Sequence, residues 1–178
     1  ADREPGDVAF ELHSLASGGS VAGRLIGDAA ALDRIRSWGT TPLYDSVLAA
    51  LDAIQPARGR RALIMLSDGV DRYSQTTAAG MIAAARRRDV LVYPVSSGKR
   101  PIPILDELAA ATGGRSFVTA DRELATALTS VGDELRHQYL LGYTPAPQTS
   151  APRTWRSIHV RVSRPGVRVR ARHGYVSP

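Results

Sequence analysis

The sequence holds no cysteine. It therefore has no disulfide and no thiolate metal ligand, and its redox compartment is unreadable. Lysine is almost missing: Lys99 stands alone among arginines, which reads as codon bias before function. No apolar run approaches the roughly 18 residues of a membrane span. Acidic residues stop at Glu134. Residues 135–178 carry eight arginines and no carboxylate, whereas residues 1–134 carry 15 basic and 17 acidic side chains; the net charge is +6. The motifs of common catalysts are missing too. There is no Gly-x-Ser-x-Gly elbow, no His-Glu-x-x-His and no P-loop, and the four histidines (13, 137, 159 and 173) are scattered. The sequence thus reads as that of a non-enzyme.

What is present suits an ordinary globular domain. At 178 residues, 43% hydrophobic and 22% charged, the chain can bury one sizeable core. Its first residues, Ala1-Asp2-Arg3-Glu4-Pro5, are polar, so no signal peptide is expected within it. Val8, Phe10 and Leu12 alternate with polar neighbours, predicting a strand over 8–15, with 21–26 as an antiparallel return after the Ser17-Gly18-Gly19-Ser20 turn. Asp28 can cap a short helix.

Thr41-Pro42 reads as a helix start, a hydroxyl cap followed by proline at the first helical position. Leu43, Val47, Leu51 and Ile54 form its apolar stripe. The run Leu63-Ile64-Met65-Leu66 then ends abruptly in Ser67-Asp68-Gly69, a buried strand delivering a carboxylate to the carboxyl end of a sheet. A helix from Thr77 turns Met81, Ile82 and Ala85 inward, and Arg86-Arg87-Arg88 complements its dipole. A strand over 90–95, a helix over 104–111 closed by Gly113-Gly114, a brief strand at 116–118 and a helix opened by Asp121 follow. In the last helix, Leu124, Leu128, Val131 and Leu135 share one face. This alternation predicts an α/β fold, a doubly wound and mostly parallel sheet with flanking helices.

The end of the chain changes character. A strand over 138–143, a Pro-rich linker over 145–152 and a hairpin of 158–163 with 167–172 about Pro165-Gly166 are expected. The hairpin would turn its apolar residues inward and Arg161, Arg168, Arg170 and Arg172 to water. Residues 1–137 are thus read as an α/β domain and 138–178 as a C-terminal β extension.

Several phrases carry a family resemblance. They are Gly39-Thr40-Thr41-Pro42-Leu43-Tyr44-Asp45, the stretch from Ala62 to Gly69, Ala111-Thr112-Gly113-Gly114-Arg115, Glu134-Leu135-Arg136-His137-Gln138-Tyr139-Leu140-Leu141-Gly142-Tyr143, and Arg168 to Tyr175. With these the whole chain resembles a von Willebrand factor A-type domain, in particular the bacterial subfamily called acidobacterial VWFA-related. The resemblance implies a Rossmann-like fold and a metal-ion-dependent adhesion site for Mg²⁺ or Ca²⁺. By motif position, Thr41 matches that site's threonine and Asp68 its aspartate, with Thr40 as the alternative if the register slips by one. The site's Asp-x-Ser-x-Ser loop does not occur in this sequence, so the chain is expected to be an N-terminally incomplete piece of a longer protein. One hydroxyl and one carboxylate are too few ligands to hold such a cation tightly against water. Weak or no metal binding is therefore expected for this chain alone.

The leading functional expectation is a non-catalytic protein-binding module whose partner presents an acidic group. By resemblance it is exported or sits in a bacterial cell envelope. The alternative is binding of nucleic acid or another anionic surface through Arg161, Arg168, Arg170 and Arg172. Against it, no base-stacking aromatics interleave with those arginines. A solvated strand face that discourages edge aggregation explains them as well. Asp71 and Tyr73 follow the Asp68 loop and are placed on its rim, with Asp71 read as a cap or turn residue rather than a ligand.

Overall fold

The computed structural model describes residues 41–57, 61–120, 123–139, 141–143 and 154–177. The expected strand over 8–15, its return over 21–26, the helix opened by Asp28, Thr40, the opening residue Asp121 and the linker 145–152 lie outside these.

The described chain runs α1 (Leu43–Ala53), β1 (Ala62–Leu66), α2 (Ala78–Arg87), β2 (Leu91–Ser97), α3 (Pro103–Thr112), β3 (Phe117–Thr119), α4 (Leu124–Arg136), β4 (Trp155–Ser157) and β5 (Gly174–Val176). Strands β1, β2 and β3 form a parallel sheet in that order, with Leu63 beside Val92 and Ser96 beside Val118. Strands alternating with helices around a parallel sheet make this an α/β fold.

The core follows the helical period. Leu43, Val47 and Leu51 of α1 meet Met81, Ile82 and Ala85 of α2, Leu105, Leu108 and Ala111 of α3, and Val92 of β2. Burying each of the larger side chains stabilises the fold by about 1.5–3 kcal/mol. The stripe expected on α4 holds at Val131, which is buried, and at Leu124 and Leu135, which are half-buried; Leu128 is exposed, and Ala127 is buried beside Val131 instead.

Strand β2 is buried from Val92 to Ser96, and it contains a proline, which cannot donate to a ladder. The geometry accommodates it. In a parallel strand successive residues address opposite neighbours. Leu91 donates to Arg61 O and Val95 accepts from Ser67, so the odd residues face β1. Val92, Pro94 and Ser96 therefore face β3, which begins pairing only at Val95. Pro94 has no donor to satisfy. Val92 N instead donates to Thr112 Oγ1 at 3.0 Å, and that buried hydroxyl bonds Leu108 O and Ala109 O. Gly113, at φ +84°, ends α3 in the left-handed cap that the sequence predicts. A Cβ on Gly114 would lie 2.0 Å from Val92 O, so the chain passes this gap only as glycine.

The C-terminal part differs from expectation. Residues 138, 139 and 141–143 form no strand, and Tyr139 is 93% exposed. Strands β4 and β5 pair antiparallel, Trp155 with Val176 and Ser157 with Gly174, and Ile158 N continues the pairing to His173 O. Extended inward, this register leaves Pro165-Gly166 as a two-residue loop. Yet 158–163 and 167–172 carry no strand. The physical reason lies in the turn. Gly166 has φ +75°, the value of the third residue of a type II turn. Proline's fixed negative φ forbids the primed turns that match strand twist, and a type II turn splays the arms.

The arginines are a second correction. Arg170 and Arg172 do not simply stay in water. Arg170 Nη2 lies 2.8 Å from Glu134 Oε2, and Arg172 Nη1 lies 2.6 Å from Asp89 Oδ1. Each carboxylate also holds an arginine of the α/β body, Arg115 at 3.2 Å and Arg61 at 3.5 Å. Arg161 and Arg168 are exposed and make no ion pair among the described residues.

Candidate functional site

The carboxyl ends of β1, β2 and β3 open onto the loops beginning at Ser67, Gly98 and Ala120. The loop after β1 is the most elaborate. Ser67 Oγ accepts from Gly69 N at 3.0 Å, and Asp68 Oδ1 accepts from Val70 N at 3.0 Å. These two side-chain turns fold the loop back on itself directly after the strand. Gly69 sits at φ +74°, where a Cβ would come within 2.5 Å of the Ile102 side chain. The loop thus packs against the residue that precedes α3.

Its second half is fixed to the start of α1. Arg72 N donates to Thr41 O at 2.9 Å, which places Thr41 beside the Asp68 loop. Both Thr41 and Asp68 are exposed, at the same end of the sheet. The Thr41 hydroxyl is not the expected helix cap; the N-cap position is Pro42, which offers no side-chain cap bond, and Thr41 contributes only its carbonyl, to Leu43 N at 2.9 Å. The cap comes from across the loop. Tyr44 N donates to Asp71 Oδ1 at 3.2 Å and to Ser74 Oγ at 3.1 Å, and Asp45 N donates to Ser74 Oγ at 3.2 Å. Ser74 Oγ in turn donates to Asp71 Oδ1 at 2.6 Å. In the reverse direction, Asp45 accepts Gln75 N at 2.7 Å and Thr76 N at 3.0 Å. The effect is a capping box built between segments about 30 residues apart. The side-chain bond from Thr76 and the Gln75 amide hold the Asp45 carboxyl below its ordinary range.

Between these anchors Tyr73 adopts φ +72°, the only non-glycine residue at positive φ among those described. It is 76% exposed, and Leu66 and Val70 are exposed near it in sequence. A bulky residue held in the left-handed region is strained by about 1–2 kcal/mol. The bonds made by Arg72 N and Ser74 Oγ on either side over-determine its position.

Thr41 lies beside the Asp68 loop and Tyr73 on that loop, the placement the sequence predicts. Sequence reasoning assigned Asp71 a cap or turn role but not its partner, and it gave no role to Asp45 or Ser74. Only the Asp71-x-x-Ser74 spacing hinted at a cap. Nothing local identifies α1 as the helix it serves.

The donor set does not by itself fit a divalent cation. Thr41 and Asp68 supply one hydroxyl and one carboxylate, and one Asp68 oxygen is already engaged with Val70 N. Among the described residues no group of three His, Cys, Asp or Glu side chains converges. Octahedral Mg²⁺ or higher-coordinate Ca²⁺ needs more oxygen ligands. No helix among the described residues is long and apolar enough to cross a membrane.

The basic tail residues do not form one free patch. Arg170 and Arg172 are committed to carboxylates, while Arg161 and Arg168 lie on the splayed arms. His137, at the C-terminal end of α4, has its Nδ1 2.8 Å from Asp133 O, in keeping with a cap role. The sequence matches no protein-family model and no curated protein at a significant level.

Proposed function

We propose that this chain is part of a non-catalytic protein-binding module of the von Willebrand factor A type, with its partner surface at the carboxyl end of the sheet. The observation that carries the reading is the loop over 67–76. Its backbone is tied to α1 by bonds in both directions, while Asp68, Val70, Arg72 and Tyr73 remain exposed. A loop ordered this firmly, with a strained aromatic at its tip, presents side chains to a partner at little entropic cost on binding. The hydroxyl and carboxylate that pair in this loop, Ser74 and Asp71, are both engaged with the first amides of α1, so recognition rather than turnover is proposed.

Thr41 and Asp68 are proposed as two ligands of a larger cation site, in which an Asp-x-Ser-x-Ser segment outside this sequence would supply the remaining oxygens. The partner class is a protein presenting an acidic group, and export to a bacterial envelope follows from the resemblance alone. The C-terminal segment is proposed as an extension of the same module, stapled to it through Glu134 and Asp89.

Calorimetry tests this reading. Titration of MgCl₂ or CaCl₂ into this chain should give no heat beyond dilution. A version extended at its N-terminus by an apolar strand and an Asp-x-Ser-x-Ser loop should gain saturable binding, which Asp68→Ala removes. Tight binding by the unextended chain, or binding by the extended one that ignores Asp68, overturns the assignment.

A further inference from the structure

We propose that the splayed arms at 159–163 and 167–171 form a second interaction edge, one that takes an extended acidic polypeptide segment as an added β-strand. Among the described residues, no backbone–backbone hydrogen bond joins 159–163 to 167–171, although β4 and β5 pair just outside them. Among the described residues, each arm therefore offers a row of unpaired N–H and C=O groups in a sequence that alternates apolar and polar residues. Such an edge is a template for strand addition. The turn disfavours closure of the edge, because Pro165 excludes the primed turns and Gly166, at φ +75°, fits a type II turn whose twist mismatches paired strands.

A cleft of about 360 Å³ is lined by residues of both arms, Ile158 and Val160 on one and Val169 and Ala171 on the other, with Gly113 and Gly114 of the body. Val162, Val167 and Val169 are 51%, 47% and 38% exposed, an apolar row without cover. Arg161, Arg164 and Arg168 are exposed and unpaired among the described residues. The fitting occupant alternates acidic and apolar side chains.

Charge disfavours the same arms of a second copy as the occupant, since they lie in a segment with eight arginines and no acid. The backbone discriminates against nucleic acid. Free edges need both donors and acceptors from a partner, and phosphates offer acceptors only, whereas a polypeptide main chain offers both. This edge is built from the tail and does not depend on the loop over 67–76.

The probe is an acetylated, amidated heptapeptide alternating Glu and Val, mixed with the intact chain and followed by amide hydrogen exchange. Amides of 159–163 or 167–171 should exchange freely without peptide and slow by at least about tenfold when it saturates. The same peptide methylated on alternate main-chain nitrogens keeps its charge and should bind roughly tenfold more weakly. Arg168→Ser should weaken binding several-fold while leaving the unfolding midpoint in place. Four results overturn the proposal: protection of these amides in the free chain, no binding of the peptide, equal binding of its methylated form, or equally tight binding of a single-stranded DNA of matching charge.

Discussion

Asp45 accepts the amide of Gln75 at 2.7 Å, joining the first turn of α1 to a loop 30 residues further along the chain. The bond turns the start of a helix into the foundation of the proposed binding surface, and it makes that surface sensitive to acid. The Asp45 carboxyl is held below its ordinary value, so its contribution is fully present above about pH 4, the unfolded value, and is lost as pH falls through the depressed folded value. Asp45→Asn should flatten the acid limb of a plot of melting temperature against pH and leave the neutral region less affected. An unchanged acid limb would refute the linkage.

Thr112 gives a prediction about the core. Thr112→Val keeps the volume but leaves Val92 N buried without an acceptor, at a cost of about 1–3 kcal/mol. Thr112→Ser restores the oxygen and should recover most of that. Urea unfolding of the two variants separates the hydrogen bond from packing.

Tyr73→Gly should place the parent fold at equal or slightly greater stability, within about 1 kcal/mol, because relief of the left-handed strain is offset by glycine's freedom when unfolded. Tyr73→Val, β-branched at the same φ, should lose about 1 kcal/mol or more. If glycine proves the more destabilising, the ring is a packing element and not a displayed one.

Glu134→Gln should loosen the tail more than the body. The carboxylate bridges Arg115 and Arg170, both partly exposed, so the loss in global stability should be no more than about 1 kcal/mol. Tryptic cleavage within 154–177 should accelerate, and added salt should produce the same acceleration in the parent chain. Uniform destabilisation of body and tail together would show that they unfold as one unit.

The extent to which the sequence foretold this structure depends on how far apart the interacting groups lie. The stripe Leu43, Val47 and Leu51, the Thr77 cap and the left-handed Gly113 depend on neighbours within a turn or two, and their periodicity or residue type announces them. The hydroxyl cap assigned to Thr41 failed because Asp71 and Ser74 reach the same amides from across the loop. The arms of the tail fit the alternation rule but not the ladder, since the handedness of a turn outweighs side-chain pattern near its tip. Freely solvated arginines were expected because nothing in the sequence places Asp89 beside Arg172, 83 residues away. For the loop of the candidate site, the strand-to-Asp68 transition was legible, while the device that anchors it was not.

The shared carboxylates have a consequence for the order of assembly. Asp89 is already beside Arg61, and Glu134 beside Arg115, once the α/β body has formed. Arg172 and Arg170 therefore join pairs that exist without them, closing long chain segments at a late stage and at modest gain. Refolding should show a fast phase reported by the body, then a slower, ionic-strength-dependent docking of the tail. A chain still being synthesised completes its core before the segment 138–177 has emerged, and the cationic segment then seats itself on a finished template.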